Sequence, residues 1–157
     1  MAETIIVREC RHGQVRVQFG NIIRVEGDVM VIPANNRLAG REGLDEKMQL
    51  AAGEELRARC TEIAVERRKE GKQPCGVGEA VTTPGFNLPA EHLVHVVGPD
   101  CRRPNQDNFR RELLLNSYNS LFEEISKIKS RETLVTPPLG MDVFAYPHRE
   151  GARMTCL

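Results

Sequence analysis

The stretch Asp28-Val29-Met30-Val31-Ile32-Pro33-Ala34-Asn35-Asn36 decides how the rest of the chain is read. Val29 to Ile32 are apolar without alternation, and a strand with apolar side chains on both faces belongs inside a sheet covered on both sides. Pro33 ends the run because it has no N–H to give a neighbouring strand. The segment from Pro33 to Asp45 that follows is polar and glycine-bearing, the composition of a loop.

Upstream, Thr4 to Cys10 and Gln14 to Phe19 flank Arg11-His12-Gly13 and predict a hairpin. Downstream, Leu44, Met48, Ala51 and Ala52 recur at helical spacing, Gly53 interrupts, and Leu56, Cys60, Ile63 and Ala64 resume the face. This predicts two consecutive helices between Leu44 and Gly71. Gly78 to Thr83 and Leu93 to Val97 read as strands joined by the turn-rich Pro84 to Pro89. Asp107 to Lys129 predicts the longest helix, capped by Asn105 or Asp107, with Leu113, Leu114, Tyr118, Leu121, Phe122 and Ile125 on one face. A short strand, Leu134-Val135-Thr136, leads to a Pro/Gly loop over Pro137 to Tyr146, and Pro147 to Leu157 begins a helix with Pro at its first turn.

Strands alternating with helices predict a mostly parallel sheet between two helical layers, with ligands bound beyond the carboxyl ends of the strands. The two loops of unusual composition, Pro33 to Asp45 and Pro137 to Tyr146, are placed to form that site.

Composition narrows the function. The 157 residues carry 22 Lys and Arg against 22 Asp and Glu, so no overall field attracts nucleic acid or an anionic membrane. Any anionic ligand must be held by local geometry. The length and the 40% hydrophobic content suit one domain over residues 1–157. Cys10, Cys60, Cys75, Cys101 and Cys156 form no CxxC or CxxH pair, which predicts free thiols, a reducing cytoplasmic setting, no metal site and no cofactor. No basic-then-apolar leader opens the sequence, and no apolar run approaches membrane-spanning length. His95, mid-strand among valines, reads as a core histidine, and Cys75 as structural.

Several collinear segments together resemble the macrodomain family. Gly20-Asn21-Ile22 is similar to its Gly-Asp-Ile opening, and Asp28 to Asn36 to its Asp-Ala-Ile-Val-Asn-Ala-Ala-Asn strand. Leu38-Ala39-Gly40-Arg41-Glu42-Gly43-Leu44-Asp45 resembles its glycine-rich loop ending in Val-Asp, and Ala51-Ala52-Gly53 its helix ending. Cys75 to Ala80, Gly85 to Ala90 and His95-Val96-Val97-Gly98-Pro99 follow the same pattern. Leu139 to Pro147 resembles Ser-Thr-Gly-Ile-Phe-Gly-Tyr-Pro.

The resemblance implies a three-layer α/β/α fold with a mixed, mostly parallel sheet. It also implies binding of ADP-ribose or an ADP-ribosylated substrate, and hydrolysis of ADP-ribosyl esters or O-acetyl-ADP-ribose. Carried over residue by residue, it makes Asn35 and Asp45 the catalytic pair: an amide to hold a ribose hydroxyl and a carboxylate to serve as general base. It assigns Asn21 and Ile22 to the adenine end, and Ala34, Asn36, Gly40, Arg41, Gly43 and Leu44 to the first phosphate-facing loop. Gly140, Met141, Asp142, Val143 and Phe144 form the second, whose backbone amides would hold the diphosphate.

The departures from the pattern carry their own expectations. Asn21 stands for a carboxylate that accepts from the adenine amino group, and Gln49 for a histidine. Arg41 and Glu42 occupy glycine positions, as does Asp142 in the second loop. An Asp142 carboxylate turned toward the diphosphate repels it, unless Arg41 pairs with Asp142 or with the phosphates. These changes make a non-catalytic nucleotide- or ADP-ribose-binding module the alternative function. The sequence also stops short of the family's last strand, which predicts self-association through an exposed sheet edge, or cover of that edge by the N-terminal hairpin.

Overall fold

The computed structural model describes residues 3–156. Strands β1 (Glu3–Cys10) and β2 (Gly13–Phe19) form the expected hairpin around Arg11 and His12. Strand β3 (Gly27–Pro33) is followed by helices α1 (Gly43–Ala52) and α2 (Glu54–Lys69), then β4 (Ala80–Pro84) and β5 (Ala90–Val96). Helices α3 (Pro104–Asp107) and α4 (Arg110–Ser126), strand β6 (Leu134–Val135) and helix α5 (His148–Cys156) complete the order; Leu157 lies outside the described residues.

The main sheet runs β4-β5-β3-β6, with β3 parallel to both β5 and β6 and only β4 antiparallel. Met30 and Ile32 point into a core shared with Met48 and Leu56 of the first two helices, while Val29 and Val31 join Leu114, Leu121 and Tyr146 on the other face. The apolar run is thus buried on both sides, and the molecule has three layers. Asp28 anchors β6 to β3: its carboxylate accepts from Thr133 N at 2.9 Å and Ser130 Oγ at 3.2 Å. The Thr133 amide holds its carboxyl below the usual carboxylate range.

Three expectations are corrected. The hairpin does not cover the main sheet's edge; it is a separate two-stranded sheet, and β6 stands at the edge of the four-stranded one. Its pairing sets Ile6 opposite Val17, with Val15 and Phe19 alternating onto the same side, and all of these are exposed. The long helix starts later than expected and without the Asn105 or Asp107 cap: both residues lie in the short α3 that Pro104 opens, the chain turns at Asn108 and Phe109, and α4 runs unbroken from Arg110 to Ser126. Phe122 is 58% exposed, since the buried line of α4 runs through Leu114, Ser117 and Leu121, and one further residue rotates about 100° off it.

Candidate functional site

The first loop, residues 34–42, leaves the carboxyl end of β3 and enters α1; the second, residues 136–147, leaves β6 and enters α5. Between them lies a cleft of about 560 Å³, within the range that holds small ligands.

The first loop is built around Asn35. Its Oδ1 accepts from Arg37 N at 3.1 Å and Ala39 N at 3.2 Å, which folds the loop back on itself. The side-chain oxygen is therefore committed to the loop, and Nδ2 is the group available to a ligand. Asp45, in the first turn of α1, is 6% exposed. Loss of water pushes its carboxyl up to about 7, against smaller opposing contributions from Gln49 and the backbone at Asn35 and Gly40. Gln49, one helical turn on, is fully buried and reaches Leu38 O at 3.4 Å and Asp45 Oδ1 at 3.5 Å. It packs so close to Gly40 that a Cβ there would lie 2.4 Å from the Gln49 side chain.

The second loop is fixed by Tyr146, which is wholly buried and donates from its backbone to Gly140 O at 2.8 Å. Its hydroxyl donates to Glu150 at 3.1 Å, and Glu150 pairs with Arg110 of α4 at 3.0 Å. The N–H groups of Met141, Asp142, Val143 and Phe144 have no hydrogen-bond partner among the described residues. Four consecutive free amides beside a cleft form a cradle for an anion.

The two loops touch. Asp142 Oδ2 accepts from Leu44 N at 3.3 Å, and a Cβ on Gly43 would lie 2.5 Å from Val143. Glu42, the residue before α1, makes no side-chain cap, so Asp142 from the facing loop supplies one.

Of the residues singled out in the sequence, Ala34, Asn35, Gly43, Leu44 and Asp45 line the cleft from one side. Gly140, Met141, Asp142, Val143 and Phe144 line it from the other. Asn21, Ile22, Asn36, Gly40 and Arg41 do not line it. Asn21 Oδ1 accepts from Ile23 N at 3.3 Å and caps a short 3-10 turn, while the Asn36 carbonyl accepts from Cys75 N at 3.2 Å. Arg41 is exposed and forms no ion pair with Asp142 among the described residues, so of the two pairings open to Arg41 the one with that carboxylate is absent.

Sequence reading passed over the turn after β5. Asp100, 8% exposed at its side chain, binds Arg102 through two 2.8 Å hydrogen bonds, and the guanidinium lies 5.6 Å from the centre of the Phe144 ring. The only hint was a carboxylate two residues before an arginine. Lys47 and His148 also line the cleft without having carried a motif, and Glu42 and Gly98, which stand within motifs, line it without having been assigned to the site. His95 is the core histidine expected: it is fully buried, shares a 2.9 Å hydrogen bond with Thr83, and is driven by burial down to about 4, hence neutral. Burial likewise pushes the Cys75 thiol up to about 12, which leaves it unreactive near neutrality.

A cleft at the carboxyl end of a mostly parallel sheet, bordered by unpaired backbone amides and one water-excluded carboxylate, marks an α/β protein with a site suited to an anionic small molecule. The chain belongs to the macro domain family, whose pattern it matches over residues 31–155. It is 31% identical over 143 residues to an O-acetyl-ADP-ribose deacetylase of Escherichia fergusonii, covering 90% of this chain and 75% of that protein. It is also 31% identical over 140 residues to a protein-ADP-ribose hydrolase of Staphylococcus aureus, covering 86% of this chain and 51% of that longer protein. In three dimensions it superposes on the Oceanobacillus iheyensis macrodomain solved with ADP, with a TM-score of 0.87 at 28% identity, covering 99% of this chain and 79% of the other. No helix among the described residues is long and apolar enough to cross a membrane.

Proposed function

We propose that this protein binds ADP-ribose in the cleft and hydrolyses an ester carried on the distal ribose, as in O-acetyl-ADP-ribose or an ADP-ribosylated carboxylate side chain. The observation that carries the reading is Asp45, a buried carboxyl at the cleft wall with a pKa near 7, close to the optimum for a base working at neutral pH. Asn35 Nδ2 holds a ribose hydroxyl and orients the ester. Ionised Asp45 removes a proton from water; the water oxygen bonds to the ester carbonyl carbon, and the ribose oxygen leaves and takes up a proton. The free amides of residues 141–144 receive the diphosphate, and the names of the similar proteins point to the same ligand class.

Calorimetric titration with ADP-ribose, ADP and AMP tests the binding half. Binding of none of the three overturns it. Incubation with O-acetyl-ADP-ribose and with a mono-ADP-ribosylated acceptor tests the chemistry, and Asp45→Ala must abolish turnover while leaving most of the affinity.

One feature favours a second reading, that of a binding module without turnover. The Asp142 carboxylate lies among the amides that the diphosphate would use and opposes a fully closed complex. Binding without hydrolysis of either ester selects this reading.

Five free cysteines suit a cytoplasmic environment. The open edge of β6 and the uncovered apolar side of the hairpin favour association with another copy of the chain. Sedimentation coefficients that do not change with concentration reject that association.

A further inference from the structure

Phe144 is gripped twice by the turn after β5. Its carbonyl accepts from Cys101 N at 2.8 Å, and the Arg102 guanidinium covers its ring. Arg102 does not float at the surface: Nε and Nη2 bind the two oxygens of Asp100, at 2.8 Å each, in the fork geometry that fits a carboxylate. Asp100 is itself held, since its backbone N–H donates to Gln106 Oε1 at 2.6 Å and Arg103 approaches its carboxylate to 3.5 Å. The same Arg102 Nη2 lies 3.9 Å from Glu42 on the first loop, and Glu42 is close enough to Asp45 to raise its pKa. The turn therefore spans both loops at the Asp45 end of the cleft.

A phenylalanine on a loop ordinarily loses side-chain freedom only when a ligand arrives, and that loss weakens binding. Here the freedom is removed beforehand. The Phe144 side chain, like that of Leu44, packs against the core that includes Met48 and Ala52 of α1, and the guanidinium, fixed by two bonds to a buried carboxylate, lies over its ring. Arg102 keeps 47% of its side chain exposed, so it works as a brace on the outer wall and is no part of the core.

We propose that Asp100 and Arg102 form a positioning strut that holds the Phe144 ring as a fixed wall at the Asp45 end of the cleft, so that Arg102 determines how strongly the site prefers ADP-ribose over ADP. The inference rests on the reading that the distal ribose lies at that end. ADP lacks the distal ribose and reaches only the amide cradle, so the strut acts on one ligand and not on the other.

The test is titration of the parent chain, Arg102→Met, Arg102→Lys, Asp100→Asn, Phe144→Leu and the double variant Arg102→Met/Phe144→Leu, each with ADP-ribose and with ADP. Arg102→Met keeps the aliphatic stem, and Arg102→Lys keeps the charge without the fork. Arg102→Met is expected to weaken ADP-ribose about three- to tenfold, the scale of a partly desolvated cation–π contact, and to leave ADP within about twofold. Asp100→Asn should follow Arg102→Met, and Arg102→Lys should fall between it and the parent. In the Phe144→Leu background, Arg102→Met should add nothing, because its effect passes through the ring. Equal losses for ADP and ADP-ribose, additive losses in the double variant, or an Arg102→Met protein as selective as the parent overturn the strut. A parent chain that binds neither ligand overturns the ADP-ribose reading itself, and the strut's role falls with it.

Discussion

Asp142 caps a helix far from it along the chain: its Oδ2 accepts from the N–H of Leu44, 98 residues earlier in the first turn of α1, at 3.3 Å. The contact joins the two walls of the cleft and places a negative charge at the positive end of the α1 dipole. The same carboxylate thus steadies the empty cleft and competes with an incoming phosphate.

Asp142→Gly should therefore separate stability from affinity. Loss of a cap costs about 1 kcal/mol, so the melting temperature should fall by a few degrees. Removal of a carboxylate about 5 Å from a phosphate relieves roughly 3 kcal/mol at an effective dielectric near 20, less after screening by salt, so ADP-ribose should bind about ten- to a hundredfold more tightly. Adenosine, without phosphates, should gain little. Titrations in which both ligands improve equally, or neither does, reject the competition.

Asp45 predicts two pH dependences. If it is the base, kcat/KM rises as the carboxyl ionises, with an apparent pKa near 7. For stability the sign is opposite. The folded pKa lies above the unfolded value of 3.8, so the folded protein holds the proton more tightly, and ionisation costs stability. That cost is absent well below pH 3.8, grows through the interval, and levels off above about 7, where it reaches on the order of 4 kcal/mol. Asp45→Asn should therefore melt above the parent at pH 8, by a margin that shrinks toward pH 5. A margin independent of pH rejects the assignment.

Gln49 donates to Asp45 and favours its ionised form, which lowers the pKa. Gln49→Leu should move the ascending limb of the pH–rate profile upward. At 3.5 Å the bond is long, so a displacement of about one pH unit or less is expected from a contact that reaches about 1.5–3 kcal/mol at good geometry. A downward displacement would contradict the geometry.

Gly43 has φ +62°, and a Cβ there would lie 2.5 Å from Val143 and 2.8 Å from Asp142 Oδ2. Gly43→Ala should cost about 1–2 kcal/mol from the left-handed backbone alone, and should also push the second loop away from the first. Weaker ADP-ribose binding with a lower melting temperature is expected; an unchanged melting temperature would mean that the loops do not meet at this point.

Much of this arrangement is legible in the sequence because it follows from local pattern. Val29 to Ile32 reads as an interior strand from its lack of alternation, Gly53 marks the break between α1 and α2, and the spacing of Asn35 from Asp45 brings both to one wall. Side-chain direction is not legible in this way. Whether Asp142 turns to a phosphate, to Arg41 or to an amide depends on a contact 98 residues distant, and Leu44 N takes it because Glu42 leaves that turn uncapped. The Asp100–Arg102 strut escapes a pattern search because its two residues acquire meaning only once Phe144 is folded against them. The detachment of the hairpin is invisible for a similar reason, since alternation states which residues prefer burial and not whether anything covers them.

That detachment has a consequence for amide hydrogen exchange. A two-stranded ribbon alone in water is marginal, and β1 and β2 bond only to each other within the two sheets. Their amides should exchange through local opening of the ribbon, with little dependence on the stability of the rest. Met30 to Ile32, in the centre of the four-stranded sheet, should wait for global unfolding. The chain should therefore melt as two separate regions, and a ligand bound in the cleft, by stabilising the second alone, should slow exchange in β3 while leaving the hairpin as fast as before.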